Sequence, residues 1–498
     1  MRQIWALPLA FVLGCSGVFG DVAAGEGEEI DARPPPPEDL TPDVVTADQC
    51  AELQPSVGET PLRRLTQAQY RNTIVDLLGI EALPTEATVR LGNIPDGREG
   101  GFASSGTAPD EQILRTYMGV AEDLAPMVTA RVDRWVSCNI GQTSCVETFI
   151  ENFGRAVYRR SLDTSAEDNE VERLLALYTD IAMTDSPDIA LETLVGAMLA
   201  SPKFIWRGEE LAETIEGQRI AITASAFANR LSYFLWNSMP DETLLSAAEA
   251  GELGTDAQIS AQVDRMLADP RAERAVHDFF EQWLHIDHLK ELESRDDAWT
   301  PELASAMIQE TLGFSNHVIR EGDGSLTTLL TANYTFGDQA LADHYGGSAP
   351  DATGRIELPA ARAGLLTHGS FLTATGQVFP EIHRGVWVLN NLLCEKIPPP
   401  PQLEEGQELS LAGRQGDPLC INCHRGIDPA GVGFADYDLV GRFSPISDAE
   451  RGELPLPEIV SLQETLDEST VGPFDSIPEL AERFATSPDV KDCMSANW

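Results

Sequence analysis

Apolar residues recur every three to four positions along most of the chain after residue 60. This spacing places one apolar stripe along a helix, whereas a half-buried strand alternates at every second residue. The helical spacing covers 109–136, 144–236, 256–268, 270–291, 299–322 and 384–394. Alternation typical of strands is confined to 327–345 and 365–375. The pattern therefore predicts a mainly α protein of multi-helix, bundle-like domains with few short strands.

The first helix after residue 60 has signals at both ends. Thr66 and Gln69 have the spacing of a capping box, in which each side chain accepts from the backbone of the other residue. Gly79 stands where a helix end needs a left-handed backbone conformation. The glycine-rich stretch 92–106 is expected to form a long loop. These signals predict an amphipathic helix that ends before Gly79.

A chain of 498 residues is about three times the usual domain length, so several domains are expected. Helical domains are predicted at 59–140, 144–210 and 215–350. A segment at 360–402 ends in a rigid run of four prolines. The last unit, 403–498, carries the most specific chemical motif of the chain.

Residues 1–20 have the pattern of a signal peptide, because one arginine precedes an apolar run too short to span a bilayer. The run ends at Cys15 in the sequence Val-Leu-Gly-Cys, which is typical of lipoproteins that are lipidated on the cysteine. Ordinary cleavage after Gly20 is the alternative and would release a secreted protein. Residues 21–58 are acidic and proline-rich, which predicts a disordered tether.

The net charge of the chain limits the kinds of molecule that it can bind. The chain has 34 Lys and Arg against 80 Asp and Glu, a net charge of −46. This charge repels nucleic acid and anionic membrane surfaces, so nucleic-acid binding is excluded. Membrane contact is expected only through the lipid anchor, since no later apolar run is long enough to span a bilayer. The predicted location is the bacterial cell envelope, at the outer membrane or in the periplasm.

The sequence Cys420-Ile-Asn-Cys423-His424 is a c-type haem attachment motif. Two thiols on one helical turn can add to the two vinyl groups of haem, and His424 can coordinate the iron. The alternatives are a structural disulfide formed by Cys420 and Cys423, and a non-haem metal or thioredoxin-type role. Zinc sites of this kind usually need a second cysteine pair, which the chain lacks.

The distal haem ligand stays open. Residues 425–498 contain no histidine and one methionine, Met494. The distal ligand could be Met494 or a group from the preceding helices, such as His368 or His383. The third alternative is an iron with five ligands and no distal one. Three aspartates, Asp428, Asp436 and Asp438, are expected to form turns or cap helices, and calcium binding is not expected. Three histidines, His277, His285 and His288, are expected to pack in the core or lie on the surface.

Several segments resemble those of secreted cytochrome-c-like proteins of unknown function, of planctomycete and myxobacterial type, built from consecutive domains. The resembling segments are 65–79, 153–160, 199–204, 230–236, 364–367, 384–388, 393–394, 398–401, 420–424, 427–429, 436–438 and 441–442. Together they extend over most of residues 60–498 and keep the family's order. The resemblance implies a terminal cytochrome-like unit and a chain that normally continues beyond Trp498.

Five cysteines remain once Cys15 and the two haem cysteines are set aside. Cys138 and Cys145 close a short loop and are predicted to form a disulfide, as is usual in an exported protein. The remaining cysteines, Cys50, Cys394 and Cys493, leave one thiol without a partner.

Three functions are compatible with these observations. The first is a haem module for electron transfer, which would work with a redox partner protein that the sequence does not identify. The second is a haem-dependent oxidoreductase acting on an extracytoplasmic substrate, favoured by an open iron coordination position. The third is a non-catalytic surface interaction protein with structural cysteines. No hydrolase, P-loop, zinc-protease or dinucleotide-binding motif is present in the sequence.

Overall fold

The computed structural model describes residues 62–99, 101–104, 110–165, 169–208, 211–214, 220–292, 298–376, 379–398 and 418–498. The predicted signal peptide, the lipidation of Cys15, the tether and Cys50 lie outside the described residues. The described part belongs to one compact unit, Pro61–Trp498. No helix in it combines the length and the apolar character needed to cross a membrane.

Helices dominate the structure, with 60% of the described residues in helix and 6% in strand, which confirms the mainly α prediction. The described part contains twenty α-helices: α1 (Gln67–Leu78), α2 (Thr85–Gly92), α3 (Glu111–Thr129), α4 (Thr143–Tyr158), α5 (Glu170–Thr184), α6 (Pro187–Leu199), α7 (Pro202–Ile205), α8 (Ala224–Trp236), α9 (Glu242–Glu249), α10 (Asp256–Ala268), α11 (Ala272–Trp283), α12 (Pro301–Asn316), α13 (Leu326–Thr331), α14 (Gln339–Tyr345), α15 (Gly369–Ala374), α16 (Pro380–Trp387), α17 (Pro418–Val432), α18 (Asp448–Arg451), α19 (Ile477–Thr486) and α20 (Pro488–Asn497).

The strands of the described part are short and pair in antiparallel twos. The pairs are β1 (Arg63–Arg64) with β4 (Trp206–Arg207), β2 (Gly97–Glu99) with β3 (Phe102–Ser104), β5 (Leu211–Thr214) with β6 (Ile220–Ile222), β7 (Tyr334–Phe336) with β8 (Arg355–Glu357), and β9 (Glu458–Ile459) with β10 (Gly472–Pro473). In the β7–β8 pair, Thr335 lies opposite Ile356. These pairs connect helices and form no larger sheet.

Local sequence signals set several helix ends. The capping box at the start of α1 is complete, because Thr66 and Gln69 each accept a backbone hydrogen bond from the other residue. Gly79 ends α1 with φ 62°, in the left-handed region that favours glycine. Helix α10 has the predicted bounds, 256–268.

The strands predicted at 327–345 and 365–375 are largely wrong. Only Tyr334–Phe336 of the first range is a strand, and it lies between α13 and α14. The second range forms a 3-10 turn, Leu365–Thr367, followed by α15. Both of these elements are buried, and a short segment buried on all sides shows no periodicity that separates helix from strand.

Two other boundaries also differ from the predictions. The stretch 92–106, expected to be a loop, contains the β2–β3 hairpin, whose turn includes Gly101 at φ 93°. The helix predicted at 270–291 ends at Trp283, and the backbone reaches φ 56° at His285. A left-handed residue cannot continue an α-helix, so the chain turns there and re-forms only a 3-10 turn, Leu289–Glu291.

Three hydrophobic cores hold the helices together. The first extends from Leu65 to Met239 and contains the buried faces of α1 to α6. The second extends from Val276 to Val490 and includes residues of α11 to α17, α19 and α20. A small third core surrounds Trp236, between α8, α9 and α10. The helix that carries Cys420, Cys423 and His424 therefore packs into the second core.

Candidate functional site

The three residues of the Cys-x-x-Cys-His motif lie on α17, where positions three and four residues apart share one face of the helix. Cys420 is buried, and Cys423 is half-buried and packs against the second core. Both thiols are free. The His424 side chain is 15% exposed, so its ring lies at the edge of the core. Two thiols and one imidazole therefore share a partly buried helix face.

His424 is held by a carboxylate one helical turn further along α17. The distance from Nδ1 of His424 to Oδ1 of Asp428 is 2.8 Å, and the Asp428 side chain is buried. A carboxylate only accepts hydrogen bonds, so Nδ1 carries the proton and donates it. The neutral ring then keeps its lone pair on Nε2, which has no hydrogen-bond partner among the described residues. This is the arrangement that metal-binding histidines use.

Two glycines allow α17 to approach α16 closely. A Cβ atom on Gly431 would lie 1.5 Å from the backbone oxygen of Glu381. A Cβ atom on Gly385 would lie 2.1 Å from the backbone oxygen of Ile427. Backbone atoms cannot move aside as a flexible side chain can, so any larger residue would separate the helices. The position of the motif helix therefore depends on glycine at both positions.

Arg384 of α16 fixes the chain that follows α17. It is fully buried and donates to the backbone oxygens of Leu372, Phe434 and Tyr437 at 2.8, 3.0 and 3.0 Å. A further bond of 3.1 Å reaches the backbone oxygen of Asp438. Burial lowers the pKa of Arg384 to about 10, so the guanidinium remains charged at neutral pH. One buried cation thus satisfies four carbonyl groups and ties two segments together.

A second polar cluster lies in the same core. The Tyr345 hydroxyl donates to Glu310 Oε2 at 2.6 Å, and Thr311 bonds His368 Nδ1 at 2.9 Å. His368 Nε2 lies 3.8 Å from the other Glu310 oxygen. Burial raises the pKa of Glu310 to about 7, and burial together with the nearby Arg362 lowers the pKa of His368 to about 3. At neutral pH His368 is therefore uncharged and Glu310 is about half protonated. His368 is engaged by residues of α12.

The cysteine pairing is partly as predicted. Cys138 and Cys145 form the expected disulfide. Cys394 is bonded to Cys493, a pairing that the sequence left open. This second disulfide ties α20 to the segment after α16, and the side chain of Met494 packs against the same core as Cys423. The role of Met494 as distal ligand stays a prediction.

The remaining candidates have structural contacts. Asp436 accepts from the backbone of Ile446 at 3.0 Å, and Asp438 accepts from the backbone of Arg442 at 2.8 Å, which are the expected turn roles. The expectation for Asp428 is wrong, because it lies inside α17 and bonds an imidazole. His285 accepts from Asn391 at 3.3 Å, His288 lies near Asp287, and His383 is exposed.

The donor set fits haem better than a metal ion held by protein side chains alone. No group of three or more His, Cys, Asp or Glu side chains that could hold a metal occurs among the described residues. One imidazole suffices as the protein ligand on one side of a haem iron, and two free thiols suit covalent attachment. Cys420, Cys423 and His424 would hold the group.

A cavity of about 250 Å³ lies in another part of the structure, between α4, α7 and α8. Tyr158, Arg159 and Lys203 contribute to its wall. The nearby Glu170 bonds Lys203 and Arg160. Burial opposes ionisation of Glu170, but these two cations outweigh it and lower the pKa to about 2. The negative charge of Glu170 is thus compensated by Arg160 and Lys203. Among the described residues, the wall of the cavity contains no thiol and no histidine.

Sequence reasoning gave Asp428 a turn or capping role and assigned no role to Gly431 or Arg384. For Asp428 a signal was present, since His424 and Asp428 are four residues apart and α-helical spacing brings such a pair together. For Gly431 and Arg384 no local pattern indicates the contacts that they make. Their importance depends on which other segment lies against them, and that is a tertiary property.

Four family models match consecutive parts of the chain. PSD3, a protein of unknown function (DUF1587), matches 63–130, and PSD5 (DUF1595) matches 145–209. PSD4 (DUF1592) matches 222–346, and PSCyt3 (DUF1588) matches 362–445, which includes the motif helix. No curated protein and no solved structure matches the chain. The chain is therefore a multidomain protein that carries four consecutive domains of unknown function.

Proposed function

We propose that this protein is an exported c-type haem protein that transfers electrons in the bacterial cell envelope. The observation that carries the proposal is the helix face of α17, where two free thiols stand beside an imidazole fixed by a buried carboxylate. The matching domain model supports it, because the name PSCyt3 refers to cytochromes. The partner would be a redox protein that exchanges electrons at the exposed edge of the site.

Each residue of the motif has a separate task. The thiols of Cys420 and Cys423 would add to the two vinyl groups of a haem as thioethers, and His424 Nε2 would coordinate its iron. When bound, the haem supplies one-electron redox chemistry. Cys420 is buried and His424 is only 15% exposed, and such limited access of water helps to set a reduction potential. Met494 is the proposed distal ligand, with a group from the preceding helices or a five-coordinate iron as the alternatives.

The second candidate function is a haem-dependent oxidoreductase. The observation that favours it is the hydrogen bond between His424 and Asp428, because a more basic axial imidazole stabilises higher oxidation states of iron. Carbon monoxide binding by the ferrous protein separates the two functions. Fast binding indicates an open coordination position and favours the oxidoreductase, whereas a protein that binds none has a firm distal ligand and favours electron transfer.

Export and anchoring are part of the proposal and rest on the sequence of residues 1–58. We propose that Cys15 is lipidated after cleavage of the signal peptide. Metabolic labelling with a fatty acid is expected to mark the wild-type protein and not the Cys15→Ser variant. Label that persists in the variant would contradict the anchor and leave simple secretion.

Covalent haem attachment is tested by haem staining on a denaturing gel, after expression with an active c-type assembly system. Thioether bonds survive denaturation, so the wild-type protein should stain and the Cys420→Ala/Cys423→Ala variant should not. The His424→Ala variant should lose most of the stain, because the assembly machinery also reads the histidine. The matched control is Cys138→Ala/Cys145→Ala, which removes two cysteines elsewhere and should stain like the wild type.

A wild-type protein that carries no covalent haem under these conditions would contradict the proposed function. The surface interaction protein with structural cysteines would then replace it. Equal loss of stain in the control variant would show that the motif variant fails through folding and not through attachment.

A further inference from the structure

We infer that Asp428 is a positioning residue for the axial histidine and that it lowers the reduction potential of the haem. The inference rests on the proposed function, because it concerns the same site. It goes beyond the motif in assigning a role to a residue outside Cys-x-x-Cys-His. The juxtaposition that carries it is the 2.8 Å contact between His424 Nδ1 and Asp428 Oδ1.

Asp428 is a buried aspartate in the interior of a helix, a position that is unfavourable for this residue. Asp428 is the eleventh of fifteen residues of α17, so it caps neither end of the helix. Aspartate is a poor helix former in such a position, and an ionised carboxylate is costly to bury. Its side chain is only 1% exposed. One contact that uses its charge is the hydrogen bond with the imidazole of His424.

The contact determines both the direction and the basicity of the ring. With Nδ1 donating to Asp428, the lone pair of Nε2 points away from the carboxylate and stays free to coordinate a haem iron. A charge-assisted hydrogen bond in a buried environment is strong and draws the Nδ1 proton away from the ring. The ring becomes a better electron donor at Nε2. A stronger donor stabilises ferric iron more than ferrous iron, so the potential falls.

The neighbouring acidic residues have other partners. Asp436 and Asp438 lie on the same segment, but Asp436 bonds Arg451 and the backbone of Ile446, and Asp438 bonds Arg442. Their charges are therefore compensated by cations. Asp436→Asn is the matched control, because it removes an equal charge from the same segment without touching His424.

The test is a redox titration of the haem-loaded full chain. Asp428→Asn keeps the shape and leaves a neutral acceptor for His424, so the fold and the attachment should be retained. We expect its equilibrium to shift at least about tenfold towards the ferrous form, which for one electron is about 59 mV upward. Asp428→Ser, a second neutral substitution, should shift in the same direction. Asp436→Asn should shift less than roughly threefold, about 28 mV.

A spectroscopic measurement separates positioning from a structural role. The g values in the electron paramagnetic resonance spectrum of the ferric protein report the donor strength of the axial ligand. They should change in Asp428→Asn and stay as in the wild type in Asp436→Asn. Unchanged potential and g values in Asp428→Asn would overturn the inference while the haem stain leaves the proposed function intact.

Three further outcomes also decide the question. An Asp428→Asn protein that keeps its far-ultraviolet circular dichroism but carries no haem would make Asp428 a requirement for attachment and overturn the tuning role. A wild-type protein without covalent haem would overturn the proposed function and this inference together. Equal shifts in Asp428→Asn and Asp436→Asn would assign the effect to general charge.

Discussion

At the residue scale, helical spacing alone brings the three motif residues of α17 together. The polar cluster around Glu310 instead joins residues that are far apart in the sequence. Cys420, Cys423 and His424 are close in the sequence, so any helix brings them together. Glu310 meets Tyr345 and His368, which come from other elements of the second core. The nearby cation Arg362 lies over the Tyr345 ring at 3.9 Å.

This cluster predicts a dependence of stability on pH. The pKa of Glu310 rises from 4.5 to about 7 on folding, so the folded state binds the proton more tightly. The contribution of Glu310 is therefore fully present below about pH 4.5 and is lost as the pH rises through about 7. Glu310→Gln stays neutral at every pH. Relative to the wild type, its free energy of unfolding should increase between about pH 5 and pH 8.

Urea unfolding of both proteins at the two pH values measures this difference. The titration of His368, whose pKa burial lowers to about 3, occurs in both proteins and largely cancels in the comparison. A difference that is the same at both pH values would show that Glu310 has an ordinary pKa in the folded protein.

At the element scale, the position of the motif helix depends on the contact between α16 and α17. Local signals predicted the ends of α1 and the bounds of α10, because capping and apolar spacing act within a few residues. They failed at Leu365–Thr367 and α15, where burial on all sides removes the periodicity. The close approach of α17 to α16 has no counterpart in the sequence pattern, since glycine is a helix-weakening residue when considered alone.

Gly431→Ala should therefore destabilise the protein. The added Cβ would lie 1.5 Å from the Glu381 backbone oxygen, so the helices must separate, at a cost of about 3 kcal/mol or more. Gly313→Ala is the control, because no atom lies within 4 Å of its Cβ position in α12. That substitution should increase the free energy of unfolding by up to about 1 kcal/mol. Urea unfolding measures both effects, and equal effects would contradict the close approach.

At the scale of the whole molecule, the second core and one long-range disulfide join residues 418–498 to the preceding helices. The Cys394–Cys493 bond links positions 99 residues apart, whereas the Cys138–Cys145 bond links positions 7 apart. A cross-link restricts the unfolded chain more when it closes a longer loop. The high net charge of −46 opposes compaction, so such cross-links gain in importance.

Removing the two disulfides should therefore have unequal effects. The Cys394→Ala/Cys493→Ala variant should lose about 4.7 kcal/mol of unfolding free energy, the value for a loop of about 100 residues. The Cys138→Ala/Cys145→Ala variant should lose about 2.5 kcal/mol, the value for a loop of about 8 residues. Denaturant unfolding of each variant at equal ionic strength tests the order. A larger loss from the short loop would contradict the loop-length argument.

The sequence by itself determined the helical class, several helix ends, the short-range disulfide and the three motif residues. All of these depend on neighbours within one or two helical turns, where spacing alone defines the geometry. Tertiary structure decided the Cys394–Cys493 pairing, the burial of Arg384 and the polar cluster at Glu310. It also decided that position 431 must be glycine. The pairing, the buried arginine, the polar cluster and this glycine all depend on which distant segments come into contact. Asp428 lies between the two cases: its spacing to His424 is local, but the burial that gives its charge a role comes from the packed core.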